Sequence, residues 1–286
     1  MPGRARNALT GAAVGVVLLA LTWYVSHHVA VAMRADVSIL RGFAQLGRPW
    51  LDTLTNFVAG LCSPDRYVFL VAIVLIVALA RRRPRVAAMI AVVVLGANET
   101  TQLLKPLLAA PRDLVYWHPI DAASWPSGHA TAAMTLALCS IVAAPARRRP
   151  AVAAAMAAFA VAVCYSFLEL GWHYPSDVLG GFLVAVIWTL LGIAVLTIVE
   201  ARRAGAPARS RSIRRAGMAA SIVQVLRPVA AMLAVVAVAL GLILLARPQP
   251  VIDYASAHEA FVLGAGAIGV LGLLLSSGVT LMLRRG

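Results

Sequence analysis

Two histidines in this chain stand where histidine is costly unless it has work to do. His129 and His173 each sit at the mouth of a long apolar run, and Asp177 follows His173 by four residues. Ionisable groups at the edge of such runs are expensive and point to a site. An imidazole whose far nitrogen is held by a carboxylate has a fixed tautomer, and its other nitrogen is free to attack an electrophile. A second imidazole can then protonate the departing group. His129 closes the string Trp125-Pro126-Ser127-Gly128-His129, in which Ser127 is a candidate helix cap and Gly128 permits close approach of an anion. Upstream, Lys105 and Arg112 supply two cations with six residues between them. The guanidinium of Arg112 has a planar fork suited to a two-oxygen anion.

The elements that must position these groups are apolar. Of 286 residues, 62% are hydrophobic and 13% charged, and the mean hydropathy is +0.88. This excludes an ordinary soluble globule and predicts an all-α, polytopic membrane helix bundle of about eight transmembrane spans. The runs are 8–32, 67–80, 86–104, 128–146, 151–170, 177–199, 229–246 and 260–283. The first six form a core over 1–200, with 34–61 as one or two interfacial helices broken near Gly47 to Pro49. A basic linker, 201–227, leads to a C-terminal two-span hairpin, 228–286. Pro106, Pro111, Pro119 and Pro126 predict a loop from Lys105 to Trp125.

The formal charge of +14 is carried by clusters that fall between apolar runs, not along one amphipathic face. That is the positive-inside pattern of a membrane protein and argues against nucleic acid as a partner. The N-terminal tail has two basic residues, 81–85 four, 147–149 three, 202–227 seven and the C-terminal tail two, making 18 of the 25. Placing these inside predicts a multi-pass plasma-membrane protein with cytoplasmic termini. Lys105 to Arg112, Ser127 to His129 and His173 to Asp177 then share the extracytoplasmic face. The run at 8–32 is longer than a signal-peptide core and is expected to remain as a span.

Together these pieces resemble the type 2 phosphatidic acid phosphatase superfamily, whose pattern is Lys-x6-Arg-Pro, Pro-Ser-Gly-His and Ser-Arg-x5-His-x3-Asp. The matches are Lys105 and Arg112, Pro126 to His129 in full, and Ser166, His173 and Asp177, within roughly residues 60–200. Asp113 stands where the first motif has proline, and Phe167 where the third has arginine. The resemblance implies that His173 attacks phosphorus to form a phosphohistidine, Asp177 orients it, and His129 protonates the leaving alkoxide and later activates water. Lys105, Arg112, Ser127 and Gly128 would surround the phosphate, with no metal or other cofactor. The expected activity is hydrolysis of a membrane lipid phosphate or diphosphate, polyprenyl or glycerolipid. A phosphotransferase using a lipid or sugar hydroxyl, and a non-catalytic lipid-binding relative, are the alternatives.

Other polar groups have plainer readings. His27, His28, His118 and His258 read as interfacial groups, and Cys62, Cys139 and Cys164 as buried small hydrophobes. Glu99 is a candidate support for the site from a polar helix end. Gly264, Gly266, Gly269 and Gly272 lie inside an apolar run, so helix packing, in a homo-oligomer among other places, fits better than dinucleotide binding.

Overall fold

The computed structural model describes residues 1–112, 120–203 and 248–284, with scattered positions between 229 and 246. The run at 229–246 and the linker that precedes it therefore fall largely outside the described residues, as do Asp113 and His118. The described chain is all-helical: α1 Gly3–His28, α2 Ala30–Ala44, α3 Asp52–Gly60, α4 Pro64–Ala80, α5 Pro84–Leu107, α6 Gly128–Ala143, α7 Arg149–Glu169, α8 Pro175–Arg203, α9 Pro248–Ala257 and α10 Glu259–Arg284. Five of these, α1, α5, α7, α8 and α10, are long and apolar enough to cross a bilayer; α3 and α4, bent by 57°, would make a sixth as a pair.

α6 is the central helix. Its 16 residues are buried almost throughout, and it is surrounded by α4, α5, α7, α8 and α10. At about 24 Å by the 1.5 Å rise it is shorter than a lipid-facing span, which it need not be when protein covers it. α1 lies along α8, with Gly11 against Leu190 and Gly15 against Ile187, the close-packing face that the glycine spacing predicts.

Two boundaries differ from the sequence expectation in ways that bear on the site. The first helix stops at His28, where Val29 turns extended (φ −104°, ψ 108°), and Ala30 opens a separate helix, α2. α5 continues through Lys105 and Pro106 to Leu107. Pro106 gives up a ladder bond there, yet the amide of Leu108 still closes that turn on Leu104 O at 2.9 Å.

Arginines of the N-terminal tail, 81–85 and 147–149 meet at one end of the bundle. Arg4 and Arg149 donate to Leu283 O at 3.2 and 3.4 Å, while Arg83 donates to Val142 O at 3.1 Å and Arg81 to Ala143 O. Cations thus satisfy the carbonyls at the C-termini of α6 and α10.

At the opposite end, α6 and α8 nearly touch. A Cβ on Gly181 would lie 2.7 Å from Ser127 O and 2.9 Å from Thr131 N, both backbone atoms that cannot step aside. Gly181→Ala is therefore expected to lower stability by about 1–3 kcal/mol through overpacking. An unchanged thermal midpoint in detergent would show that the helices can part without cost.

Candidate active site

Local backbone chemistry sets up three turns. α7 ends in a left-handed glycine, Gly171 (φ 72°), with Gly171 N–H donating to Leu168 O at 3.1 Å and Trp172 N–H to Phe167 O at 3.0 Å. This pair of bonds is the Schellman ending that glycine at that position allows. It turns the chain so that Trp172, His173 and Tyr174 precede α8, which Pro175 starts. Ser127 caps α6, its Oγ accepting the Ala130 amide at 3.3 Å. Ser127 N–H also donates to Asp177 O at 3.0 Å, joining the second turn to the third.

The two imidazoles come together with centroids 6.5 Å apart. His173 is 7% exposed, and its Nδ1 lies 3.3 Å from Asp177 Oδ2. The same carboxylate oxygen accepts the Tyr174 amide at 3.0 Å. An ionised carboxylate only accepts, so Nδ1 carries the proton and Nε2, on the far edge of the ring, has the free lone pair. The N–H groups of the first turn of α6 point out of its N-terminus, the geometry that receives an anion. Lys105 is within electrostatic reach of Asp177 and of His129.

Arg112 is differently placed from a phosphate fork open to solvent. Its side chain is 4% exposed. Nη2 donates to Asp177 Oδ1 at 2.5 Å, Nη1 to Ser176 Oγ at 3.1 Å and to Asp36 Oδ2 at 3.3 Å, and Nε to His27 Nε2 at 3.2 Å. Tyr174 stacks under it, with Cζ 4.4 Å from the ring centroid. The cation is thus held between two carboxylates. Burial pushes the Asp36 carboxyl up to about 6, against the opposing pull of Ser176 and Arg112.

Several of these partners carry no signal in the sequence. Asp36 lies in α2, and Ser63, whose Oγ is 3.5 Å from His129 Nε2, precedes α4; neither carries a local spacing signal. His27, read as an interfacial group, is instead an acceptor for Arg112. Glu99 is exposed; the polar groups α5 turns inward are Thr100, which accepts from Trp188 Nε1 at 2.9 Å, and Thr101, 3.0 Å from Thr131 Oγ1.

Phe167 is fully buried against both histidines, with centroids 6.0 Å from His129 and 5.3 Å from His173. Trp172 is 40% exposed and stands 5.5 Å from His129, so the site has an aromatic side. Asp36 and Asp177 are already committed to Arg112. A guanidinium at 167 would be buried where these two carboxylates already bond Arg112, and Phe167→Arg is expected to lose about 3–5 kcal/mol of stability. A variant that melts like the parent and turns over faster would mean that the site takes a further cation readily.

Among the described residues no three His, Cys, Asp or Glu side chains converge as a metal site. Asp36 and Asp177 accept from Arg112, Ser176 and the Tyr174 amide.

Fold and site together define a multi-pass helical membrane protein in which a carboxylate-oriented imidazole lies beside a second imidazole at one end of the bundle. Residues 85–201 match the family model of the PAP2 superfamily. The crystal structure of a transmembrane PAP2-type phosphatidylglycerolphosphate phosphatase from Bacillus subtilis has the same fold. The likeness has a TM-score of 0.53 at 20% identity and covers 70% of this chain and 98% of that one. No curated protein matches the sequence significantly.

Proposed function

We propose that this protein is a metal-independent lipid-phosphate phosphatase whose site faces the extracytoplasmic side of the plasma membrane. The observation that carries the reading is the pair of imidazoles 6.5 Å apart with Asp177 behind one of them. In this scheme His173 Nε2 attacks phosphorus and the bond from phosphorus to the lipid oxygen breaks. His129 gives that oxygen its proton. His129 then takes a proton from water as it attacks the phosphohistidine, the P–N bond breaks, and phosphate leaves.

Lys105, the Gly128 amide and the rearward charge of Arg112 stabilise the phosphoryl oxygens, while the Ser127 amide is already given to Asp177 O. The basic clusters at the other end of the bundle support the orientation, since they belong on the cytoplasmic side. The substrate is an amphiphile, a polyprenyl or glycerolipid phosphate or diphosphate. Its headgroup enters at the helix ends while its tail stays in lipid, and Phe167 and Trp172 offer apolar contact beside the reacting group.

Phosphate release by purified protein from micelles of phosphatidic acid, polyprenyl phosphate and polyprenyl diphosphate tests this. Release that survives chelators and is inhibited by vanadate supports the scheme. A requirement for added divalent ion contradicts its metal independence. Turnover only in the presence of an added lipid or sugar hydroxyl would make the protein a transferase, and turnover of none would leave a lipid-binding relative.

A further inference from the structure

The two carboxylates that hold Arg112 have different origins. Asp177 belongs to the turn that carries His173. Asp36 comes from α2, outside the region that matches the PAP2 family, and reaches a partner 140 residues away in sequence. It is 6% exposed. Its Oδ1 accepts the Ser176 amide at 3.0 Å and its Oδ2 accepts Ser176 Oγ at 2.5 Å, while Oδ2 also lies 3.3 Å from Arg112 Nη1.

We propose that Asp36 is a positioning residue for the His173–Asp177 pair, acting as a cap lent by α2 to the first turn of α8 and as the second jaw on Arg112. The cap follows from placement. α8 starts at Pro175, so the Ser176 amide is one of the first-turn donors without a partner in its own helix. A carboxylate there is also favoured by the helix dipole. The turn it secures is the one that carries Asp177.

The jaw follows from hydrogen-bond accounting. Without Asp36, the buried guanidinium has one carboxylate left, and it satisfies its donors by moving further onto Asp177. The Asp177 oxygen facing His173 Nδ1 and the Tyr174 amide is then drawn toward Arg112. His173 loses the bond that fixes its tautomer.

α2 itself is braced from the C-terminal end of the chain. Tyr254 OH donates to Gly42 O, Phe261 stacks edge-on to Phe43 at 4.9 Å, and His258 Nε2 lies 2.6 Å from Gln45 Oε1. α10 also packs Gly264 against Ile39. The last helices, which carry no site motif in the sequence, thus hold the helix that carries Asp36.

The kinetic arm of the test rests on the phosphatase reading; a spectroscopic arm does not. With a lipid phosphate that the wild type hydrolyses, Asp36→Asn is expected to lower kcat by about 10²-fold, the scale of a small misplacement of reacting groups. KM should stay within about threefold, because Asp36 does not touch substrate. Ser176→Ala keeps Asp36 but removes one of its two bonds to α8, and should give a smaller loss of the same kind. In ¹⁵N-histidine spectra of the protein in micelles, assigned with His173→Gln, wild-type His173 should show a protonated Nδ1 and an unprotonated Nε2. Asp36→Asn should show a mixture of tautomers.

A folded Asp36→Asn protein with wild-type kcat and an unchanged His173 spectrum overturns the proposal. So does a loss confined to KM, which would put Asp36 in direct dealings with substrate. If Asp36→Asn does not fold, the His173 spectrum of Ser176→Ala decides. Absence of phosphate release by the wild type defeats the proposed function, and the spectra still decide the role of Asp36.

Discussion

Alanine at position 173 is expected to reduce phosphate release by at least about 10⁴-fold in kcat, the range seen when a covalent nucleophile is removed from a hydrolase. The argument is positional. His173 is the imidazole backed by a carboxylate, so in the neutral ring its outward nitrogen is the one with the lone pair. The strongest rival nucleophile is Ser63, whose Oγ is 3.5 Å from His129 Nε2 and would take that ring as its base. The rival predicts a different outcome. If Ser63 attacks, His173→Ala weakens a supporting group and Ser63→Ala is the lethal change. The trapped intermediate separates them chemically as well, since a phosphohistidine survives alkali and is lost in acid, whereas a phosphoserine does the reverse. The His173→Ala variant should remain folded, because the ring it removes lies at a turn between helices. A residual rate within about tenfold of wild type would exclude His173 as the nucleophile.

The helices were legible in the sequence because burial in a bilayer or a bundle demands uninterrupted apolar runs, and proline, glycine and arginine punctuate them. Pro175, Ser127 and the arginines at 81–85 each mark the helix end that the structure has. The break at Val29 was not legible, since Ala30, Val31 and Ala32 continue an apolar run and nothing in their types signals a new helix. Pro106 misleads in the opposite direction, because proline in a last turn is cheap while proline in sequence reads as a stop.

The site was legible where one turn of helix or one short loop brings residues together. His173 and Asp177 are four apart and lie in one turn, and Ser127 to His129 lie at one helix start. Asp36, Ser63 and His27 reach the site only through tertiary packing, which puts helices far apart in sequence side by side. Spacing cannot announce such partners. The setting of Arg112 is the clearest instance: its residue type suggests an anion ligand, and only the fold reveals that two carboxylates and an imidazole already surround it.

The second large effect expected is at Asp177, and it separates charge from shape. Asparagine there keeps the volume but replaces one oxygen by an NH₂ group. Asp177 makes acceptor contacts on both sides, Oδ1 to Arg112 at 2.5 Å and Oδ2 to the Tyr174 amide at 3.0 Å and His173 Nδ1 at 3.3 Å. An amide can present oxygen to only one side. If oxygen faces Arg112, the NH₂ group meets the Tyr174 N–H and selects the His173 tautomer with its proton on Nε2, which cannot attack. If oxygen faces His173, the NH₂ group meets a buried guanidinium, and donor opposes donor. The first arrangement costs catalysis and the second costs stability, and Arg112, with only Asp36 as a charged partner, favours the first. Asp177→Asn is therefore expected to lose about 10⁴-fold in kcat, the cost of holding a catalytic imidazole in the wrong tautomer. Its unfolding midpoint should fall as well, because a buried ion pair has lost one charge. An Asp177→Asn protein with near-normal turnover would mean that the carboxylate serves mainly to neutralise Arg112, and that the tautomer of His173 is set by some other contact.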